Sequence, residues 1–509
     1  MKPITRRNFL GTSAATGLAM GMPAILGGRS ARAASPNEAI RVAVIGMGST
    51  TAVGGVGGRG HQLLGRLREI PDSNVKIVAL CDVDQDHLDR EVKIASDRGE
   101  KVAAHRDMRL IFDDKDVDAV VVALPNHWHA LATIWACQSG KDVYCEKPFS
   151  HTIWEGRQMV AAARKYNRMV QAGTQRRSSP VLQKAIKDIR GGKLGAIKSA
   201  HALVYRAREG IGKVDGTTPV PASVDYDLWC GPSPKKPLGR KQLHYEWHWF
   251  WETGNGEIGN NGPHYIDVCR WALGQDDLPP RVLSIGGRFA YNDCGETPNT
   301  QLAWLDYRPA PIICEVRNVS VKQGAIGSYR HRTGGVLIDC EHGYFAGDMS
   351  GGAFFERSGK KWLKETPDKK VKDFPDDGSS KAIEATHLAN FFAAVRSRNR
   401  AELTAEALDG HISAACCHLP NISHRLGKRL PAEAIRAVVQ SDGDLADAFD
   451  RLRAHLEENG IDLDRSRATL GAGLTLAHGK SLFTGPHAEA AAPLATRIYR
   501  DPFVVPESV

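Results

Sequence analysis

The sequence predicts an α/β protein: a domain built on a parallel sheet, followed by an α+β domain with a large, mostly antiparallel open sheet. In the first part of the chain, apolar runs of strand length alternate with helical patterns. Near-continuous apolar strands of this kind form parallel sheets that helices cover on both faces. Beyond about residue 176, strand-like runs follow one another between Gly, Pro and Asn turns, which favours antiparallel pairing.

The first domain is predicted over residues 36–176. Its expected strands are residues 41–46, 75–82, 117–124, 142–145 and 169–172. A helical pattern follows the first strand after a stretch rich in glycine, and others flank the third strand.

The second domain is predicted over residues 177–430. Its expected strands lie near residues 204, 283–285, 301–305, 312–316 and 336–338. Helices near 262–273 and 383–397 are expected to pack on its sheet. Residues 431–509 are predicted to form a helical extension and a tail, with an amphipathic packing helix over 444–459.

Length and charge set limits on the function. A chain of 509 residues is too long for one ordinary domain. Its net charge of +9 is unevenly placed, because residues 1–33 carry five basic residues and no acid. The rest of the chain has no basic cluster with interleaved aromatic residues, so nucleic-acid binding is not expected.

Residues 1–33 have the pattern of a twin-arginine export signal. Arg6 and Arg7 precede Phe-Leu and a mildly apolar stretch, and residues 31–33 supply an Ala-Arg-Ala cleavage site. We therefore expect the export machinery as a partner and a periplasmic location, with the signal either cleaved or kept as an anchor. The ten cysteines show no spaced framework and are expected to be buried thiols, although export permits a disulfide.

A glycine-rich turn after the first strand predicts a dinucleotide site. Gly46 and Gly48 follow the strand, but the next glycine of the fingerprint is absent at position 51. A complete Gly-x-Gly-x-x-Gly occurs at residues 55–60, directly before the helix, so we interpret residues 47–55 as an insertion. Glycines let the backbone approach a pyrophosphate at a helix N-terminus, as in the Rossmann fold.

Asp82 ends the second strand, where a carboxylate accepts hydrogen bonds from the adenosine ribose. It would repel a 2′-phosphate, so NAD is favoured over NADP. A helix N-cap is the alternative role of Asp82, and it is compatible with binding.

Later motifs resemble the glucose-fructose oxidoreductase/inositol dehydrogenase/rhizopine catabolism (Gfo/Idh/MocA) family. The motifs are Leu-Pro-Asn-His-Trp-His at 124–129, Cys-Glu-Lys-Pro at 145–148, Gly-Thr-Gln-Arg-Arg at 173–177, the segment 259–267 and the segment 295–300. The tail over residues 499–506 is similar to that of a large branch of secreted members. The resemblance covers nearly the whole chain after the signal.

The resemblance implies that Lys147 and His264 lie beside the nicotinamide and the reacting carbinol. A histidine can accept the hydroxyl proton near neutral pH, and an ammonium can stabilise alkoxide character on the same oxygen. Taken without the resemblance, Lys147 is a salt-bridging lysine and His264 a helix histidine.

One residue departs from the family pattern. The family often has Asp four residues before the histidine, and this chain has Asn260. Asn260 can orient the imidazole or bind a sugar hydroxyl, but it cannot act as a base. Asp267 either orients the site or lies on a helix surface.

The resemblance also implies the remaining contacts. The expected cofactor-binding residues are Gly46, Gly48, Gly57, Gly58, Arg59, Gly60, Asp82, Pro125, Asn126, His129, Glu146, Lys147 and Gln175. The expected substrate residues are Arg176, Trp249 and Asp267.

For several of these residues a purely structural role is the alternative. Arg176 and Arg177 either reach substrate or form structural ion pairs, and the aromatic run 245–251 either stacks on a sugar or plugs the space between domains. His127 and His129 lack a third ligand in the sequence, so no metal is expected.

The sequence therefore predicts an exported NAD(H)-dependent oxidoreductase that acts on a CH–OH group of a sugar, glycoside or polyol. Free NAD is scarce outside the cytoplasm, so we expect a tightly held cofactor, and the family implies a homo-oligomer. An NAD-dependent glycoside-cleaving enzyme is the first alternative. A non-catalytic sugar-binding protein is the second, and Lys147 and His264 speak against it.

Overall fold

The computed structural model describes residues 38–49, 58–70, 74–322, 326–330, 332–356, 369–374, 379–479 and 482–509. The predicted export signal and Gly57 lie outside the described residues. No described helix has both the length and the apolar character that crossing a bilayer requires.

A six-stranded parallel sheet forms the first domain, as predicted. Its strands are β1 (Ile40–Ile45), β2 (Val75–Cys81), β3 (Ala103–His105), β4 (Ala119–Val122), β5 (Asp142–Cys145) and β6 (Val170–Ala172). They are arranged in the order β3-β2-β1-β4-β5-β6, which is the dinucleotide-binding order of the Rossmann fold. The sequence did not predict β3, because its three residues are exposed or half-buried and form no apolar run.

Five helices follow the strands of this sheet. They are α1 (Arg59–Glu69), α2 (Gln85–Asp97), α3 (Arg109–Asp113), α4 (Asn126–Gln138) and α5 (Ile153–Lys165). The start of α5 is fixed by a capping box, in which the Thr152 hydroxyl accepts from the Glu155 N–H and the Glu155 carboxylate accepts from the Thr152 N–H.

A 12-stranded sheet forms the second domain. Its strands are β7 (Ile197–Tyr205), β8 (Arg281–Gly287), β9 (Thr300–Leu305), β10 (Ile312–Arg317), β11 (Gly335–Cys340), β12 (Gly343–Asp348), β13 (Gly351–Glu356), β14 (Lys369–Phe374), β15 (Lys428–Leu430), β16 (Ala468–Leu470), β17 (Leu474–Leu476) and β18 (Phe483–Thr484). The strands pair antiparallel except β7 with β10, so the predicted, mostly antiparallel sheet is confirmed.

Ten further helices complete the described chain. They are α6 (Pro180–Arg190), α7 (Tyr226–Cys230), α8 (Gly256–Asn260), α9 (Gly262–Leu273), α10 (Ser380–Ser397), α11 (Ala407–Arg425), α12 (Ala432–Val439), α13 (Gly443–Glu458), α14 (Leu463–Ser466) and α15 (Ala488–Ala491). As predicted, α9 packs on the second sheet, and α13 buries its apolar stripe against β9 and β10.

The prediction for residues 383–397 was wrong in one respect. The helix forms as α10, but Leu388, Phe391 and Phe392 pack with α1 and β1 of the first domain. The spacing of apolar residues predicted that one face of this helix is buried, but it could not predict which sheet the helix packs on.

Residues 206–250, called here the cover segment, leave β7 of the second domain and dock on the first domain. The Asp225 N–H donates to the Val83 carbonyl at 2.9 Å, and the Gln85 N–H donates to the Ser223 carbonyl at 3.0 Å. This backbone contact fixes the cover segment to the loop between β2 and α2.

The C-terminal tail returns to the first domain. Phe503 is buried with its ring centroid 5.3 Å from that of Trp128, and Tyr499 donates a hydrogen bond to Glu155. All ten cysteines lie in the described residues and are not joined by disulfides, and all but Cys294 are buried.

Candidate active site

A cavity of about 300 Å³ lies at the carboxyl ends of β1 and β4. Open α/β sheets bind ligands at this place, where the order of the strands reverses. The cavity is lined by the glycine-rich turn, Asp82, Lys147, Asn260 and His264. The cover segment supplies a further part of the lining.

The glycines of the turn are required by backbone proximity. Gly46 and Gly48 have φ of +89° and +74°, which L side chains rarely adopt. A Cβ on Gly58 would lie 2.3 Å from the Met47 carbonyl oxygen, and one on Gly60 would lie 1.8 Å from that of Gly46. The turn and the start of α1 are therefore in direct backbone contact, with no side chain between them. A pyrophosphate-binding turn requires this arrangement.

The two described ends of the predicted insertion meet. The Gly58 N–H donates to the Ser49 carbonyl at 2.8 Å, and the His61 N–H donates to the Met47 carbonyl at 3.1 Å. Hence the turn after β1 leads directly into α1 although eight residues separate Ser49 from Gly58.

Asp82 holds the turn in place and faces the cavity. One carboxylate oxygen accepts from the Met47 N–H at 2.6 Å, and the other accepts from the Asp84 N–H at 2.9 Å. The first oxygen also accepts from the Gly48 N–H at 3.3 Å, so the second oxygen is the one with capacity for a further hydrogen bond. Asp82 is thus able to accept from ribose hydroxyls, as predicted for NAD, and its alternative role as a helix cap is taken by Asp84.

Arg59 begins α1 and lies between two carboxylates. Its guanidinium is 2.7 Å from a Glu146 oxygen and 3.1 Å from a Glu384 oxygen. One guanidinium nitrogen and the amide oxygen of Gln175 are buried without a hydrogen-bond partner among the described residues. Both residues line the cavity, so polar atoms are left for a ligand there.

Lys147 follows β5 and projects into the cavity. Its Nζ donates to the Asn260 backbone oxygen at 2.9 Å and to the Asn260 Oδ1 at 3.1 Å. Burial lowers the pKa of Lys147 to about 8, although the charge of Glu146 acts in the opposite direction. The ammonium is therefore close to losing its proton near neutral pH.

His264 lies in the first turn of α9 and is buried. Its Nδ1 has no hydrogen-bond partner among the described residues. Burial, together with the positive charges of Arg176 and Lys147, holds the pKa of His264 well below its ordinary value. The imidazole is therefore neutral at neutral pH.

Asn260 is bonded to Lys147 and lies on a separate helix from His264. It ends α8, whereas His264 belongs to α9, so the two residues share a cavity but not one helix. The Asn260 Oδ1 accepts from Lys147, and its amide nitrogen lies 3.4 Å from a Glu257 oxygen. Its described bonds orient the lysine and not the imidazole.

The loop after β4 is only partly as expected. Pro125 and Asn126 line the cavity, and the Asn126 amide donates to Asn255 at 2.8 Å. His129 lies outside the lining, and its two ring nitrogens are each 2.7 Å from a carbonyl oxygen, of Pro148 and Leu124. His129 thus supports the loop beneath the site.

The three predicted substrate residues lie outside the cavity lining. Arg176 is paired with Asp348 at 2.7 Å, and Asp267 is fully buried and paired with Arg177 at 2.8 Å. Trp249 is buried near Arg208. For Arg176 and Arg177 the structure shows the alternative role, that of structural ion pairs. Asp267 is buried as the partner of Arg177, so it does not lie on a helix surface.

The sequence analysis missed several residues of the cavity. The additional lining residues include Trp128, Trp229, His87, His244, Arg206 and Arg208. Within the aromatic run 245–251, Tyr245, Trp247 and His248 line the cavity in place of Trp249. No spacing rule places the cover segment over the first domain, so its lining residues before the aromatic run carried no signal.

Two family models match the chain. Residues 40–174 match the NAD-binding Rossmann fold of the Gfo/Idh/MocA oxidoreductase family, and residues 207–300 match its C-terminal alpha/beta domain. Over these two segments the chain is similar to this family. Its first domain is an NAD-binding Rossmann domain.

Three curated relatives align with parts of the chain. A levoglucosan dehydrogenase from Pseudarthrobacter phenanthrenivorans is 30% identical over 237 residues, which are 44% of this chain and 51% of that protein. Inositol 2-dehydrogenase 1 from Saccharopolyspora erythraea is 35% identical over 178 residues, 33% of this chain and 47% of that protein. A glycosyl hydrolase family 109 protein from the same organism is 31% identical over 185 residues, 33% of this chain and 38% of that protein. The chain thus spans about half or less of the length of these relatives.

Solved structures share the fold over a larger part of the chain. A levoglucosan dehydrogenase in complex with NADH and L-sorbose has a TM-score of 0.55 at 16% identity and covers 75% of this chain and 96% of that one. An aldose-aldose oxidoreductase from Caulobacter crescentus complexed with glycerol has a TM-score of 0.53 at 16% identity, with 76% and 98% covered. At these identities the likeness concerns the two-domain architecture alone.

Proposed function

We propose that this protein is an exported oxidoreductase that transfers hydride between a tightly held NAD(H) and a CH–OH group of a sugar, glycoside or polyol. The observation that carries the proposal is the convergence of Lys147, Asn260 and His264 in the cavity that the glycine-rich turn and Asp82 also line. Two of the aligned relatives are named as dehydrogenases of levoglucosan and inositol, which supports a carbohydrate-like substrate.

The residues present fit NAD. The bare backbone of Gly46, Gly48, Gly58 and Gly60 leaves room for a pyrophosphate at the N-terminus of α1. The Asp82 carboxylate suits ribose hydroxyls and disfavours a 2′-phosphate. When bound, NAD supplies the acceptor for the hydride that leaves the carbinol carbon.

Lys147 is proposed to bind the carbinol oxygen of the substrate. An ammonium has three N–H donors, and Asn260 accepts two of them through its backbone and side-chain oxygens. The third donor is available to the substrate oxygen. A positive charge at this point stabilises the negative charge that develops on the oxygen as its proton leaves.

His264 is proposed to accept that proton. The acceptor must be neutral before the reaction, and the low pKa of His264 keeps it so. The unpartnered Nδ1 is buried, so it is free of competing hydrogen bonds within the described chain. Lys147 then holds the oxygen while His264 takes the proton.

The proposal includes export of the protein and retention of its cofactor. The pattern in residues 1–33 supports transport across the membrane in the folded state, which lets the protein bring its cofactor along. Outside the cytoplasm the cofactor must be recycled in place, by a second sugar as hydride acceptor. A homo-oligomer is the expected assembly.

The test is to purify the full chain and identify the nucleotide that co-purifies. A panel of sugars and polyols is then added while the absorbance of reduced nicotinamide is followed. Lys147→Ala is expected to retain the nucleotide and lose turnover, whereas His342→Ala, which alters an exposed histidine of the second domain, is expected to behave as the parent. Unchanged turnover in Lys147→Ala would contradict the proposed mechanism.

A second candidate is cleavage of a glycoside by oxidation, elimination and return of the hydride. The alignment with the glycosyl hydrolase family 109 protein favours it. Product analysis separates the two candidates, because the glycosidase releases free sugar without any net change in NAD. The oxidoreductase instead forms a ketone or lactone.

A further inference from the structure

Three metal-ligating side chains meet at the edge of the cofactor cavity. The Asp84 Oδ2 lies 2.8 Å from the His244 Nε2 and 3.5 Å from the His87 Nδ1. These three donor atoms all lie within 4.8 Å of one another. Asp84 and His87 belong to the first domain and His244 to the cover segment, so the cluster joins two separate parts of the chain.

The local structure aims these donors at one point. Asp84 is the N-cap of α2, and its Oδ1 accepts from the Asp86 N–H at 3.1 Å. This bond turns the other carboxylate oxygen toward the histidines. His87 lies three residues later on α2, and this spacing places it above Asp84.

The His87 Nδ1 is the observation that points to a ligand. His87 is only 7% exposed, and this nitrogen is buried with no hydrogen-bond partner among the described residues. The Asp84 oxygen at 3.5 Å is its nearest carboxylate contact, but the arrangement is not that of a hydrogen bond. A lone pair left this way is costly unless a donor or a cation occupies the space in front of it.

The donor set suits a divalent ion of the zinc class. Two imidazoles and one carboxylate are typical ligands of Zn²⁺, and three protein ligands leave a fourth position open. Tetrahedral sites with bonds near 2.0 Å place ligand atoms about 3.3 Å apart. Two of the three separations, 2.8 and 3.5 Å, lie on either side of this value, and the third is at most 4.8 Å, so one ion can reach all three atoms after local shifts.

We propose that Asp84, His87 and His244 bind one divalent transition-metal ion, which fastens the cover segment to the first domain over the cofactor cavity. His87 and His244 line that cavity, so the open fourth position faces it. The proposal that an ion binds here does not depend on the proposed reaction. Only its effect on cofactor release rests on the proposal that NAD occupies the cavity.

The pair considered in the sequence, His127 and His129, is unlike this cluster. The His127 Nε2 lies 3.0 Å from the Trp229 carbonyl oxygen, and both nitrogens of His129 face carbonyl oxygens. Those imidazoles already have partners. The proposed site went unnoticed in the sequence because His244 is 160 residues from Asp84.

The first experiment measures metal binding alone. The full chain is stripped with a chelator, titrated with Zn²⁺ and separately with Co²⁺, and analysed for metal content and for the visible spectrum of bound Co²⁺. One ion per chain is expected. Absence of stoichiometric binding of either ion at micromolar concentrations would overturn the proposal.

Variants distinguish a site from adventitious binding. Asp84→Asn keeps a residue that caps helices well while it removes the anionic ligand. His87→Ala removes the unpartnered nitrogen. Both are expected to weaken Zn²⁺ binding at least about tenfold, whereas His342→Ala leaves it unchanged. Parent-like binding by Asp84→Asn and His87→Ala, with folding verified by circular dichroism, would overturn the assignment.

The second experiment measures the release of NAD from loaded protein with and without Zn²⁺. Slower release with Zn²⁺ in the parent, and no such effect in His87→Ala, are the expected results. Equal release rates would overturn the fastening role while leaving metal binding intact. Failure to load NAD at all would instead count against the proposed function.

Discussion

Replacing Gly60 by alanine is expected to disrupt both the cofactor turn and the stability of the first domain. The added Cβ would lie 1.8 Å from the Gly46 carbonyl oxygen and 2.9 Å from the Met47 Cα. Non-bonded contacts of carbon atoms are normally about 3.5 Å. Since both neighbours are backbone atoms, no side-chain rotation relieves the overlap, and α1 must move away from β1.

The size of the effect follows from two opposing contributions. Forcing an extra methyl into a well-packed interior costs about 1–3 kcal/mol. Alanine in place of glycine favours a helix by at most about 1 kcal/mol, and Gly60 is only the second residue of α1. We therefore expect a net loss of about 1–2 kcal/mol in the free energy of unfolding, and a loss of NAD affinity of at least about tenfold because the cradle opens.

Gly65→Ala is the matched control on the same helix. No atom lies within 4 Å of the Cβ that it would add, so only the gain in helix propensity remains. Urea unfolding and titration with NAD measure both variants. If Gly60→Ala unfolds at the same urea concentration as the parent and binds NAD as tightly, the steric account of the turn is wrong.

Three further predictions concern the charged groups of the site. Burial lowers the pKa of Lys147 to about 8, and the proposed mechanism needs its ammonium form. We therefore expect kcat/KM to fall as the pH rises through about 8, and a pH profile that stays flat there would contradict this. Asn260→Asp places a carboxylate where the Asn260 oxygen now lies 3.1 Å from the lysine, so the pH at which kcat/KM falls should rise by about 1–3 units. No change in that pH would exclude a direct electrostatic interaction between residue 260 and Lys147. Asp82→Ala removes a charged hydrogen-bond acceptor, so the affinity for NAD, measured by titration, should fall at least about tenfold. The preference for NAD over NADP should also decrease, and an unchanged preference would show that Asp82 does not contact the ribose.

The sequence predicted the first domain well because its signals are local. The strands of the parallel sheet are buried on both faces, so they read as apolar runs, and Asp82, Glu146 and Lys147 come directly after such runs. Residues at the carboxyl ends of parallel strands share one edge of the sheet, and the structure places these three along one cavity.

The remainder depends on long-range packing. The sequence could not show that Arg176 would meet Asp348 or that α10 would pack on the first sheet, since each pairing joins distant segments. Trp247 and Trp249 lie in the same short 3₁₀ turn, and only Trp247 lines the cavity. His244 reaches the cavity only because residues 223–225 dock on the loop after β2.

The cover segment also bears on the order in which the proposed substrates react. If the nucleotide stays held beneath residues 206–250 between turnovers, as proposed, the reduced and the oxidised sugar must use the same space one after the other. The kinetics should then be ping-pong, with parallel double-reciprocal lines and each sugar inhibiting competitively at high concentration. Added NAD would not raise the rate, and an assay that supplies only one sugar would register a single turnover per chain.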